Sequence, residues 1–266
     1  MELRSNITTQ QKRKKSFHFL THITVILLGI SLSPSSFAKD EGWQYELSTY
    51  IWLPETTTGI ETNQGSTETT LSVSDALDSL DVGYMLTATA TRNSWTLVGD
   101  LVYLNLEAEI NTPFGQLYRD LKSETTLSIF STYGLYSIVD NENYFIDIGL
   151  GLRAVDSDVD ATLTAGLLPS VKSGISDNWV DPVVAARFYG KLSEKLFASV
   201  TFDTGGFGGS SASDSTWQAL ALLGYSLTEN WTIRGGYRHL YIDRENDGQR
   251  YDFEMSGFVF GVSYQF

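Results

Sequence analysis

Chemistry in this chain would have to come from carboxylates, guanidiniums and histidine. Cysteine is absent, which removes thiolate nucleophiles, thiol zinc sites and disulfides together. Of the three histidines, His18 and His22 fall in an apolar leader and only His239 lies in the body of the chain. A general base needs its imidazole in a pocket beside a nucleophile or a water. His239 instead shares the parity of Tyr237 and Tyr241 on an alternating segment. Asp203-Thr204-Gly205 spells the aspartic-protease tripeptide, but that chemistry needs two apposed carboxylates, and here the chain runs on into Gly206-Phe207-Gly208-Gly209. No helix-forming stretch with a well-placed lysine follows to make a phosphate cradle. The expectation is no catalytic residue, no metal ligand set and no cofactor.

What remains is a group of charges with a common parity. Ile146, Ile148, Leu150 and Leu152 alternate with Asp147, Gly149, Gly151 and Arg153; Val184, Ala186 and Phe188 alternate with Asp181, Val183, Ala185, Arg187 and Tyr189. The same period of two puts Asp203 opposite Val200 and Phe202, and Arg234 and Arg238 opposite Ile233 and Tyr237. Glu46 and Asp100 join them by the same rule. Glu46, Asp100, Asp147, Asp181 and Asp203 thus face Arg153, Arg187, Arg234 and Arg238 on one side of the sheet, nearly balanced in charge. Unpaired charges in a narrow interior are costly. Two readings stay open: ion pairs and trapped water that fill a closed lumen, or a narrow cation-preferring, porin-like channel whose pairs part.

Ten segments carry this alternation, at about 43–53, 82–92, 94–107, 123–139, 144–156, 179–190, 196–206, 216–227, 231–243 and 252–266. Links after the even segments are short, as at Arg92-Asn93-Ser94 and Thr228-Glu229-Asn230. Those after the odd ones are mostly longer, at about 54–81, 108–122, 157–178, 207–215 and 244–251. Such alternation is the mark of an all-β, closed, up-and-down antiparallel transmembrane barrel with short turns on one side and long loops on the other. Ten strands are expected, with eight or twelve as alternatives. One helical turn over Asp75 to Leu80, capped by Ser74, is expected on the first long link, where Thr67–Val73 could also extend a hairpin.

The ends of the chain agree. Lys12-Arg13-Lys14-Lys15, an apolar stretch from Phe17 to about Ile30 and Ser36-Phe37-Ala38 follow the order of a secretory signal, which predicts a cleaved leader over 1–38 and a barrel domain over 39–266. Phe258, Phe260, Val262, Tyr264 and Phe266 share one parity to the last residue. This segment resembles the C-terminal signal of Gram-negative outer-membrane barrels. The resemblance implies location in the bacterial outer membrane, export through the Sec translocon, and insertion by the barrel assembly machinery into lipid and lipopolysaccharide, with Phe260, Val262, Tyr264 and Phe266 as the assembly signal. Omptin-type proteases are a poor match, because their Asp and His pair has no counterpart of the right spacing in Asp243 and His239. A non-enzymatic structural, adhesive or envelope-integrity role is the reading that follows; a cation channel is the alternative and a hydrolase a remote one.

The expected leader holds five of the 18 basic residues and one of the 32 acidic ones, so the remainder carries a net charge of −18. So acidic a chain excludes electrostatic binding of nucleic acid. The first long link contains Glu55, Glu61, Glu68, Asp75, Asp78 and Asp81 and no basic residue, and Asp156, Asp158 and Asp160 open the third. A solvated acidic surface is the expectation for these external loops, with divalent cations as the alternative visitors, since the spacing lacks the glycine and late glutamate of an EF-hand loop.

Overall fold

A computed structural model describes residues 42–62, 65–111, 116–208, 211–246 and 249–266; the expected leader and its cleavage site lie outside them. The chain forms β1 (Gln44–Thr62), β2 (Gly65–Leu71), α1 (Val73–Asp78), β3 (Leu80–Arg92), β4 (Trp95–Asn111), β5 (Tyr118–Asp140), β6 (Tyr144–Ala165), β7 (Val171–Lys191), β8 (Leu196–Gly206), β9 (Ser215–Ser226), β10 (Trp231–Asn246) and β11 (Gln249–Gln265). Each strand pairs antiparallel with its neighbours in order, and β11 returns to pair with β1 from Glu46↔Gln265 to Glu61↔Arg250. The wall is therefore a closed barrel of ten strands. β2 stands outside the ring, paired only with the far part of β1 from Thr56↔Leu71 to Thr62↔Gly65.

The period of two decides which face is which. Ile51, Leu97, Leu150, Val184, Val200, Leu223 and Phe258 are exposed on the outer surface, while Trp52, Val102, Ile129, Leu135, Val183, Leu240 and Val259 are buried inside. A soluble protein does not present so continuous an apolar exterior; a barrel in lipid requires it. Aromatic pairs mark the rims of this belt. Near the short turns, Trp95 packs on Tyr136 at 5.1 Å and Trp231 on Tyr264 at 4.8 Å; higher up, Tyr84 lies 6.1 Å from Tyr103. Their rings are apolar and their polar atoms reach the headgroups.

The tight turn after β3 is set by Asn93, which takes φ 52°, a left-handed conformation that Asn tolerates. On the inner face of β6, a side chain at Gly149 or Gly151 would run into the carbonyl oxygens of Gly134 and Thr132 on β5. Glycine there lets the two strands press together beneath the Arg153 side chain.

Two expectations are corrected. The helix of the first link runs Val73–Asp78 and is capped by Ser72, whose hydroxyl accepts from the Asp75 amide at 3.3 Å, and not by Ser74. Ser74 bonds the Ser72 hydroxyl instead, at 2.9 Å. Several expected long loops are also largely strand. β5 and β6 run 23 and 22 residues and stay paired from Asp140↔Phe145 to Tyr118↔Ala165. About 9–11 tilted residues cross a bilayer, so this hairpin projects well past the membrane on the long-link side. The alternation of Asp156, Asp158 and Asp160 with Val155, Ser157 and Val159 was itself a strand pattern, continued beyond the lipid with carboxylates on the outer face.

Leu150, 69% exposed on the outer belt, gives a direct test of the lipid-facing assignment. Leu150→Arg is expected to cost about 2–4 kcal/mol in equilibrium unfolding from lipid vesicles. A change near zero would mean that this face meets water.

Candidate functional site

The lumen is built in tiers, each from side chains that the strand period turns inward. Nearest the short turns, Arg187 on β7 bonds Asp147 on β6 through Nε at 2.8 Å and Nη2 at 2.5 Å, and Ser137 donates to the same carboxylate at 2.6 Å. Across the lumen, Arg234 on β10 pairs with Glu46 on β1 at 2.7 Å. Each guanidinium also lies over a ring, Arg187 above Phe145 at 5.1 Å and Arg234 above Phe197 at 5.6 Å. A vestibule of about 420 Å³ bounded by both arginines opens below.

The middle tier is a continuous hydrogen-bonded belt. Thr87 on β3 and Tyr50 on β1 both donate to Asp100 Oδ1 on β4, each at 2.8 Å. Arg238 on β10 donates through Nη1 to the Tyr50 hydroxyl at 2.8 Å and places Nη2 3.0 Å from Asp100 Oδ2. Its Nε donates to Gln218 Oε1 on β9 at 2.8 Å, and Gln218 Nε2 donates to Asp203 Oδ2 on β8 at 3.1 Å. Tyr133 on β5 donates to that oxygen at 3.0 Å, while Arg153 on β6 binds Asp203 Oδ1 at 2.7 Å and Thr216 at 2.8 Å. The belt thus links eight of the ten wall strands. Arg153, Asp203, Asp147 and Asp181 are wholly buried. Charges so placed hold only with their bonds satisfied.

Of the nine charged residues on the inward parity, the structure brings eight into four pairs: Arg153 with Asp203, Arg187 with Asp147, Arg234 with Glu46 and Arg238 with Asp100. Asp181 goes elsewhere. It accepts from the Ser213 amide at 2.6 Å, the Ser213 hydroxyl at 2.9 Å and Trp179 Nε1 at 3.1 Å, tying down the link between β8 and β9. A third tier lies beside it, where Arg244 binds Asp177 at 2.7 Å and the Ala212 carbonyl at 3.0 Å, and Arg250 pairs with Asp243. Sequence reading missed Tyr50, Tyr133, Gln218 and Arg244. All four share the parity of the charges they bind, so extending the period to uncharged donors and to the outer strand ends would have found them.

His239 meets a hydroxyl that the sequence reading did not pair with it. Its Nδ1 is 2.6 Å from Ser256 Oγ and 3.9 Å from Glu254, and its ring stacks on Trp217 at 4.3 Å. A Ser-His-carboxylate relay needs hydroxyl and carboxylate on opposite ring nitrogens. Here both approach Nδ1, and the group lies on the outer face of β10, away from the luminal tiers. Among the described residues no group of three or more carboxylates and histidines is arranged to hold a metal ion. On the projecting strands Asp160 pairs with Lys172 at 3.3 Å and Glu109 with Lys122 at 3.1 Å. At the C-terminus, Phe258 and Phe260 face outward, and the Phe266 amide donates to the Tyr45 carbonyl at 2.9 Å, sealing the last residue to the first strand.

No protein-family model and no curated protein matches the chain. Solved structures similar to it are bacterial barrels. The attachment invasion locus protein Ail of Yersinia pestis aligns over 85% of this chain and 99% of its own at 11% identity and a TM-score of 0.36. Neisserial surface protein A aligns over 85% and 100% at 14% identity and 0.31, and the Pseudomonas putida toluene transporter TodX over 86% and 90% at 11% and 0.33. Likeness at this level carries nothing about ligand or role. The closed wall, its even strand count and its apolar outer belt make this a transmembrane barrel of the Gram-negative outer-membrane type.

The belt can be weighed by breaking one pair. Arg153→Met leaves Asp203 buried without its cation and is expected to cost about 3–5 kcal/mol. Arg153→Met with Asp203→Leu is expected to recover much of that loss. Urea unfolding from vesicles reads both; a single variant losing less than about 1 kcal/mol, the range of an exposed pair, would mean that water reaches Asp203.

Proposed function

We propose that this chain is a non-enzymatic integral barrel of the outer membrane whose lumen is closed to ions, and that it serves the envelope in a structural or adhesive capacity. The observation that carries this reading is the middle belt. An ion crossing the lumen would have to part Arg238 from Asp100 and Tyr50, or Arg153 from Asp203, and at these buried positions each parting exposes a charge with nothing to replace its partner. The space left within the belt, about 160 Å³ and divided among many side chains, supports a fixed filling better than a file of water. The paired hairpin of β5 and β6, projecting past the membrane, supports a role exercised by surface rather than by passage.

A non-enzymatic role is also supported at His239. Its two polar neighbours share one nitrogen, on a face turned to lipid, where a relay through the ring has no second partner.

Single-channel recording of the refolded barrel in a planar bilayer tests the closed lumen. The wild-type chain is expected to insert silently, and Arg238→Ala combined with Arg153→Ala to show discrete openings. Cation-selective steps from the wild-type chain would overturn this reading in favour of a narrow channel.

A further inference from the structure

Above the belt, toward the long links, the lumen changes character. A chamber of about 590 Å³ lies there, roofed in part by α1, and among the described residues no charged side chain lines it. Trp52, Met85, Leu127, Ile129 and Trp179 form its walls. A volume of this size is typical of a small-molecule site, which spans ~300–1,000 Å³. A charged guest would lose its hydration here without gaining a partner.

The wall beside this chamber is interrupted. β1 pairs with β3 only from Gln44↔Thr91 to Thr49↔Leu86, and β2 does not take up the edge of β1 until Thr56. Tyr50 to Glu55 therefore lack a strand on that side. Their backbone is partly provided for in other ways: the Trp52 amide donates to the Met85 sulfur at 3.0 Å, and Pro54 has no amide hydrogen to satisfy. A thioether is a weak acceptor, standing where a carbonyl would complete a ladder. Across the gap, Gly83 on β3 carries no side chain and also borders the chamber.

The lining reaches this gap. Tyr50 and Trp52 point into the lumen, one bonded to Asp100 and the other stacked under Arg238 at 4.7 Å, while Ile51 is 60% exposed on the lipid face. On a fully paired strand, neighbours of opposite parity line opposite sides of the wall. The same chamber touches Tyr50, Ile51, Trp52 and Leu53, so it meets the free edge of β1. The gap starts one residue beyond Thr49↔Leu86, opposite Met85 and Tyr84, and so lies at the level of the outer aromatic rim marked by Tyr84 and Tyr103, where the outer leaflet meets its headgroups.

We propose that the chamber binds a small uncharged apolar molecule, aromatic or hydrocarbon in type, which exchanges with the outer leaflet through the gap between β1 and β3. This inference does not depend on the lumen being closed to ions, since the chamber and its gap lie above the belt.

The test uses the full barrel in lipid vesicles and the uncharged photoprobe 3-trifluoromethyl-3-phenyldiazirine, flashed at increasing delays after mixing, with labelled residues mapped by mass spectrometry. Leu150 on the lipid face is expected to label at the shortest delay, and Leu127 and Ile129 inside the chamber to follow. Gly83→Phe, whose side chain enters beside Leu104 and Leu80 at the inner mouth of the gap, is expected to slow chamber labelling severalfold while leaving Leu150 unchanged. Met85→Ala, which removes the sulfur from the gap, is expected to hasten it and provides a readout if the bulkier variant fails to insert. Labelling confined to lipid-facing residues in the wild-type barrel would overturn the chamber as a site. Chamber labelling whose rate neither variant alters would overturn the gap as its route.

Discussion

Everything in this structure follows from the requirement that backbone amides and carbonyls crossing hydrocarbon find partners within the chain. A ten-strand sheet meets it only by closing, and the closure here is the long pairing of β1 with β11, ending on the bond from the last residue to Tyr45. That is why the C-terminal residues alternate to the very end: Phe258, Phe260, Val262, Tyr264 and Phe266 must present apolar atoms outward while their backbone seals the ring. A place among the described residues where the requirement is relaxed, Tyr50 to Glu55, is furnished with substitutes. A sulfur accepts, a proline does not donate, and a short capped helix borders the chamber nearby. A defect so furnished at one defined place is a feature of the design of the wall and not a failure of it.

Closure at ten strands also fixes what the inside must be. The bore is too narrow for a wide water column, and inward side chains from opposite walls meet. Where they are charged, they must meet in pairs, because desolvation in such a space outweighs what a lone charge can recover. Rings help in the same direction. Arg238 over Trp52 and Arg244 over Trp179, both at 4.7 Å, give guanidiniums a polarisable face on the side that lacks a carboxylate. These two tryptophans belong to both halves of the lumen, with one face toward an arginine and the rest of the indole forming apolar wall.

The fold was legible in the sequence because its governing pattern is local. A period of two, repeated over ten segments and broken by short turns, needs no knowledge of distant contacts. The parity of Arg153, Arg187, Arg234 and Arg238 was legible for the same reason. Which carboxylate each would meet was not, because pairing across a lumen depends on strand tilt and stagger, which alternation does not record. Asp181 shows the limit: it shares a face with Arg153 and is its direct register partner, yet it turns to Ser213. Loop lengths were misread where strands leave the lipid, since outward residues there become polar and the apolar half of the signal disappears, as in Asp156 to Asp160. The β1–β3 gap left no trace readable from periodicity, for Tyr50 to Leu53 alternate as any paired strand would.

The order of the tiers has a physical logic. A polar belt above the short turns and an apolar chamber above the belt divide the lumen at Tyr50, whose ring borders the chamber and whose hydroxyl belongs to Asp100 and Arg238. The belt needs dry surroundings to be rigid, since water reaching it would compete for every bond and weaken each charge pair. The chamber needs a rigid floor, since apolar walls with a mobile base would collapse onto one another to recover lost contacts. Each tier therefore stabilises the condition that the other depends on. Placing the break in the wall beside the chamber is the arrangement that leaves both intact, because hydrocarbon entering there meets a surface like itself and stops at the tryptophans.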